Sequence, residues 1–211
     1  MTTKVKICGL STAATMGAAL DHGADFVGLT FFAKSPRNVS LEQAASLAGQ
    51  ARGRARIVTL VVDAEDALLA EIAGKVRPDY FQAHGTETPE RIAAITALTG
   101  ISAYKALRVA AKEQVARARD YRAAAFILYD AVPPESSVLP GGNGLTFDWT
   151  ILKDAARPFM LAGGLTPENV AEAVRVTGAD IVDVSSGVES APGVKDIASI
   201  RKFIEAAKRA G

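Results

Sequence analysis

Along the chain, short apolar runs rich in β-branched and aromatic residues alternate with longer stretches in which apolar positions recur every three or four residues. The runs are "VKICG", "DFVGLTF", "RIVTLVV", "DYFQAH", "ISAYKAL", "AAFILYD", "PFMLAG" and "DIVDVSS", eight in all. Their length and composition predict buried strands. The stretches between them include "LEQAASLAGQA", "AEDALLAEIAGKV", "TPERIAAITALTG", "AKEQVARARDY", "TPENVAEAVRVTG" and the closing "VKDIASIRKFIEAAKRA". These have helical spacing, and several begin with a Ser, Thr or Asp suited to an N-cap. Strict alternation of strand and helix implies a parallel sheet with crossover helices. Eight units in 211 residues, about 26 each, lie near the lower size limit of a closed (β/α)8 barrel. A doubly wound open sheet would favour a glycine-rich phosphate turn after the first strand. That turn reads "CGLSTAA", without G-x-G-x-x-G, and the glycine pair comes late, in "LAGGLTPENV". The expected fold is therefore α/β, a single-domain TIM barrel over residues 1–211. One long connection, Ala131 to Trp149, is rich in glycine and proline and reads as an active-site flap or as a surface loop.

Composition narrows the function classes. The 24 basic and 23 acidic residues leave no basic excess for a nucleic-acid backbone. No segment is long and apolar enough to span a bilayer, so no membrane partner is expected. The single cysteine cannot form an internal disulfide, and "MTTK" leads straight into strand sequence, which together suggest a cytoplasmic protein. Two histidines placed far apart disfavour a histidine-rich metal site. No metal and no cofactor are expected, with a carboxylate-bound magnesium the remaining alternative. Apolar positions on the outer helices are compatible with a monomer or a homodimer.

In such a barrel the C-terminal strand ends converge on one mouth, where catalytic groups gather. Alternation puts Lys4, Lys6 and Cys8 of the first strand inside, with Val5 and Ile7 outside. On the sixth strand it puts Phe126, Leu128 and Asp130 inside. A lone cysteine is commonly a small buried hydrophobe, and a strand-terminal aspartate is commonly a turn cap. Their convergence on one cavity makes them a candidate base and acid. Gly163 and Gly164 follow the seventh strand, before a helix start expected at Thr166 and Pro167, and Ser185, Ser186 and Gly187 follow the eighth. Loops at these two positions build phosphate sites from backbone N–H groups, so a phosphorylated small molecule is the expected ligand. Arg37, in the loop "FFAKSPRNVS", suits bidentate capture of a carboxylate or is a solvated loop arginine. His84 lines the mouth or is a satisfied structural histidine, and His22 falls on the surface of the first helix.

The segments "KICGL", "SPR", "QAHG", "FDW", "LAGGLTPENV" and "DVSSGVE" with "PGVKD" make the chain resemble the phosphoribosylanthranilate isomerases of tryptophan biosynthesis, from residue 4 to about 196. The double glycine is shared by many phosphate-binding barrels, whereas "KICGL" combined with the last two segments is specific. The resemblance implies an Amadori rearrangement of N-(5-phosphoribosyl)anthranilate to 1-(2-carboxyphenylamino)-1-deoxyribulose 5-phosphate. It implies Cys8 as general base at C2 and Asp130 as general acid at the furanose ring oxygen. It also implies Arg37 on the anthranilate carboxylate, Asp183 on the substrate amino group, and Gly164, Ser186 and Gly187 on the phosphate. A free thiol titrates near ~8.5, so a neighbouring cation such as Lys6 would assist it. The chain departs from the family pattern at "QAHG", where Gln-Leu-His-Gly is usual, at "YDA", where Asp-Ser or Asp-Thr is commoner, and at "GGNG", where Gly-Gly-Thr-Gly is usual. Asn143 of that last segment bears on flap closure and leaves the acid and base in place.

Other barrel chemistries lack their residues. The histidine-pathway isomerase uses aspartates at the ends of strands one and five, where this chain has Cys8 and "KALRV". Indole-glycerol-phosphate synthase uses a lysine in strand three, absent from "RIVTLVV", and a metal-dependent pentose-phosphate epimerase uses several histidines. A barrel reduced to phosphate sensing would be expected to lose Cys8 or Asp130 before its glycines, and both are present.

Overall fold

The computed structural model describes residues 3–132 and 146–211. Most of the long glycine- and proline-rich connection, including "GGNG" with Asn143, lies outside the described residues. Eight parallel strands close into a barrel in chain order: β1 (Lys4–Cys8), β2 (Phe26–Phe31), β3 (Arg56–Val61), β4 (Tyr80–Ala83), β5 (Ala103–Val109), β6 (Ile127–Ala131), β7 (Phe159–Leu161) and β8 (Ile181–Val184). Each overlaps one of the eight apolar runs. Helices α1 (Ala13–Asp21), α2 (Leu41–Ala51), α3 (Asp66–Lys75), α4 (Pro89–Thr99), α5 (Lys112–Ala116), α6 (Val170–Thr177) and α7 (Ile197–Ala210) surround it.

Local chemistry explains where the helices begin. Thr12, Ser40, Thr88 and Asp196 each accept a backbone N–H from the first turn they precede, and Pro89 occupies a first-turn position in α4. Some expected boundaries move. Thr166 does not cap α6: its hydroxyl takes the Glu168 N–H and its own N–H donates to Asn169 Oδ1, so a separate turn forms and α6 starts at Val170. The closing stretch does not start as helix either. Val194–Lys195 pairs as a short strand, β10, with β9 (Glu189–Ala191), and α7 follows. "AKEQVARARDY" breaks after five helical residues into a 3-10 helix, Arg117–Asp120. After β6, the described crossover is a 3-10 helix, Trp149–Leu152.

The barrel interior is layered. At its N-terminal end Tyr104 and Phe126 stack with centroids 4.4 Å apart, and Tyr80 meets both edge-on. Phe26, Val58, Leu128, Met160 and Ile181 belong to the same inner cluster. Beyond this apolar floor comes a polar layer in which Lys6 and Gln82 are fully buried. The predicted alternation therefore holds: Lys6, Cys8, Leu128 and Asp130 point inward, while Val5 and Ile7 join the outer core beneath the helices.

Candidate active site

Cys8 ends β1 and is 4% exposed. Its register partner on β2 is Gly28, where a Cβ would stand 2.8 Å from the Cys8 sulfur. The missing side chain at position 28 makes the room that the thiol occupies. One layer down, Lys6 Nζ donates to Asp183 Oδ1 at 3.1 Å and to Gln82 Oε1 at 2.8 Å. Tyr104 donates its hydroxyl to the same Gln82 oxygen at 2.8 Å. With two donors on that oxygen, the amide orientation is set, and Gln82 Nε2 donates to His84 Nδ1 at 2.8 Å. This places the proton of the neutral imidazole on Nε2, which donates to Asp130 Oδ2 at 3.1 Å. Asp130 Oδ1 accepts the Ala131 N–H at 2.9 Å. A continuous hydrogen-bonded chain thus runs across the mouth from Asp183 through Lys6, Gln82 and His84 to Asp130.

Burial pushes the Cys8 thiol up from its ordinary range, and the Lys6 ammonium beside it, with Lys195 further off, only partly opposes that rise, while Asp183 adds to it. Lys6 itself is held protonated: burial, the largest single influence, works against its charge, but the Asp183 carboxylate together with Cys8 and Tyr104 more than offsets it. The cation expected to assist the thiol is therefore in place, yet the thiol is not lowered, because burial outweighs the pull of Lys6 and the Asp183 charge adds to the rise.

The loops after β7 and β8 form a notch of about 40 Å³ around Gly163, Gly164, Ser185, Ser186 and Gly187. The N–H groups of Gly164, Ser186 and Gly187 have no acceptor among the described residues. The last two open a 3-10 turn, whose first N–H groups are unpaired by construction. A Cβ at position 187 would collide with the Leu165 carbonyl oxygen, so only glycine lets the two loops come this close. Larger depressions, about 920 and 600 Å³, open at the opposite end of the barrel around Arg54 and Arg157. Arg54, Arg56 and Lys208, cations of the larger one, are paired with Asp21, Asp79 and Asp25 at the surface, and neither depression faces the strand ends where Cys8 and Asp130 meet, so the chemistry is placed at the mouth.

Arg37 reaches the rim of the mouth from the β2 loop. Its Nε and Nη2 donate to Glu189 at 2.7 and 2.8 Å, and Lys195 Nζ donates to the same carboxylate at 2.6 Å. Lys195 also donates to the Ser185 carbonyl at 2.8 Å, and Ser185 Oγ donates to the Cys8 carbonyl at 3.2 Å. At the far rim, Lys105 Nζ bonds to the carbonyls of Ala83 and Gly85 and to Glu87, tying β5 to the end of β4.

Comparison with known proteins decides which chemistry this is. The family model of N-(5'phosphoribosyl)anthranilate (PRA) isomerase matches residues 5–206. The chain belongs to the PRA isomerase family. The N-(5'-phosphoribosyl)anthranilate isomerase of Rhodopseudomonas palustris (strain BisA53) is 55% identical over 207 residues, 97% of this chain and 95% of the relative. The phosphoribosyl anthranilate isomerase of Thermotoga maritima superposes with a TM-score of 0.88 at 36% identity, covering 98% of this chain and 99% of that one. A further isomerase structure, in complex with reduced 1-(o-carboxyphenylamino)-1-deoxyribulose 5-phosphate, gives 0.85 at 34% identity, covering 98% and 99%. This PRA isomerase family member is thus an enzyme of tryptophan biosynthesis built on a TIM barrel.

Within that frame, Cys8, Asp130, Asp183, Gly164, Ser186 and Gly187 all meet at the mouth as the sequence led one to expect. Lys6 lies under the thiol, and His84 is both satisfied and in contact with Asp130, so its two readings merge. His22 is exposed, beyond the end of α1. Arg37 is at the rim, but with Glu189 as its partner. Sequence reasoning passed over Gln82, Glu189 and Lys195, although "QAHG", "DVSSGVE" and "PGVKD" contain them.

Proposed function

We propose that Cys8 is the general base and Asp130 the general acid of the rearrangement of N-(5-phosphoribosyl)anthranilate to 1-(2-carboxyphenylamino)-1-deoxyribulose 5-phosphate. The observation that carries this reading is the pair itself: a thiol and a carboxyl, both buried, enter one mouth from β1 and β6, and Lys6, on the same strand face as the thiol, heads the hydrogen-bonded run through Gln82 and His84 that ends on Asp130. Asp130 gives its proton to the ring oxygen as the C1–O bond breaks, leaving a Schiff base at C1. The His84 and Ala131 N–H groups then stabilise the carboxylate left behind. The Cys8 thiolate takes the C2 proton, and the bonding pair forms the C1=C2 double bond of an enolamine. A proton lost from the C2 hydroxyl and one gained at C1 complete the ketone. Lys6 stabilises the thiolate during its lifetime.

The N–H groups of Gly164, Ser186 and Gly187 suit the substrate phosphate, Asp183 its amino group, and Arg37 its carboxylate. The relative crystallised with a reduced, phosphorylated ketose supports this allocation by analogy. Residues 1–211 are read as one catalytic domain, working in the cytoplasm as a monomer or a homodimer. Of the relatives, the Thermotoga maritima isomerase is described as dimeric, and monomers have been generated from it. No helix among the described residues is long and apolar enough to cross a membrane.

The test is loss of anthranilate-type fluorescence on mixing with phosphoribosylanthranilate generated in situ. Cys8→Ala and Asp130→Asn should each lower kcat at least about 100-fold, the usual scale for a positioned acid or base, while a reduced product analogue still binds. Turnover by either variant within tenfold of the parent would remove that residue from the assignment.

A further inference from the structure

Glu189 has an unusual number of partners for a carboxylate remote from the reacting carbons. Its Oε1 accepts from Arg37 Nε at 2.7 Å and Lys195 Nζ at 2.6 Å, and its Oε2 accepts from Arg37 Nη2 at 2.8 Å and the Gly193 N–H at 3.2 Å. Four donors fill a carboxylate whose side chain is 4% exposed. The surrounding chain is shaped for this contact. Gly193, at φ +81°, would bring a Cβ to 2.7 Å from the Pro36 carbonyl oxygen, so only glycine lets the β9–β10 hairpin lie against the Arg37 loop. On the other side, the Arg37 Cδ passes over Gly9, where a Cβ would stand 2.6 Å from it, directly after Cys8.

The way Arg37 is gripped matters for what it can still hold. A guanidinium has two edges that bind a carboxylate bidentately, Nε with one Nη and the outer pair of Nη atoms. Glu189 occupies the first edge. Among the described residues the outer edge has no acceptor, which leaves one N–H on each Nη, parallel, for a second planar anion. The trio of Arg37, Glu189 and Lys195 carries one net positive charge, so one incoming carboxylate brings it to neutrality.

We infer that Glu189 is a positioning residue: by holding the Nε edge of Arg37, it fixes the outer edge toward the mouth and so makes the site select a substrate bearing a carboxylate. Without Glu189, Arg37 is a long side chain free to sample other rotamers, and each binding event must order it again. Lys195 and Gly193 serve the same end by holding Glu189. The inference rests on the assignment of Arg37 to the anthranilate carboxylate made above.

The experiment compares binding of two reduced product analogues, one with a 2-carboxyphenylamino group and one with plain phenylamino, to the wild type, Glu189→Gln and Arg37→Lys. A bidentate charge-assisted contact should make the wild type favour the carboxylated analogue about 10- to 100-fold. In Glu189→Gln that preference should fall to about threefold or less, with affinity for the phenylamino analogue unchanged, which also shows that the variant is folded. Glu189→Asp gives the same readout should the Gln variant fail to fold, because its shorter carboxylate cannot reach both Arg37 nitrogens. A preference unchanged in the Glu189 variants overturns the inference, as does an equal loss of both analogues, which is what a merely structural role would produce. A wild type that does not distinguish the analogues is a separate outcome: it removes the Arg37 assignment, and the inference with it.

Discussion

The Lys6–Asp183 pair controls the thiol from both sides, and the two halves of the pair must act in opposite directions. Lys6→Met removes the cation that favours the thiolate and leaves the Asp183 charge, so the Cys8 pKa rises. Asp183→Asn removes the anion that disfavours the thiolate and leaves Lys6 anchored on Gln82, so the pKa falls. An opposite charge within hydrogen-bonding range shifts a neighbour by about 1–3 units, each unit being about 1.4 kcal/mol. The two variants should therefore move the midpoint in opposite directions, with the wild type between them and above the ordinary thiol value near ~8.5. The assay is the pH dependence of alkylation by iodoacetamide, followed by mass. Cys8 is the sole cysteine, so every alkylated thiol reports on this site. The midpoint is read rather than the plateau rate, because the intrinsic nucleophilicity of a thiolate itself changes with its pKa. Midpoints that move together, or that both stay within about 0.3 units of the wild type, would show that the ion pair does not govern the thiol.

Two further outcomes follow from packing at the mouth. Gly28→Ala puts a methyl group where the structure allows 2.8 Å to the Cys8 sulfur and 3.0 Å to its Cα, so the thiol must shift; kcat should drop about 10- to 100-fold while the product analogue still binds, and an unchanged kcat would refute the fit described here. Lys105→Met leaves the buried Glu87 carboxylate with the Asp63 and Gly85 N–H groups but no cation and should cost about 3 kcal/mol, the lower end for a broken buried pair, or about 6–12 °C in Tm for a chain of this size, with kcat within about twofold in a calorimetric and kinetic comparison.

The residues whose place follows from a strand's period of two were legible in the sequence. Counting inward from Val5 and Ile7 was enough to put Lys6 and Cys8 in the mouth, and the same count served Asp130. What depended on several strands at once was not legible. The bond between His84 and Asp130 rests on the orientation of the Gln82 amide, which Lys6 from β1 and Tyr104 from β5 set together. No local pattern contains that information. Glu189 and Lys195 stood in conspicuous segments, but strands as short as Glu189–Ala191 and Val194–Lys195 carry too few positions to show a period. The start of α6 was misplaced because Thr166, with the right chemistry for a cap, spends its hydroxyl on a preceding turn.

The stacked Tyr104 and Phe126, with Tyr80 against both, also bear on traffic through the enzyme. They stopper the barrel at its lower end, so among the described residues the mouth is the way in. If the notch holds the phosphate as proposed, the ketose that leaves and the aldose that arrives share that passage and that notch, and they cannot occupy it together. Product should accordingly inhibit as a simple competitor, raising the apparent KM in proportion to its concentration and leaving kcat untouched. The flux through this step would then be throttled by whatever removes the ketose, without a separate regulatory site.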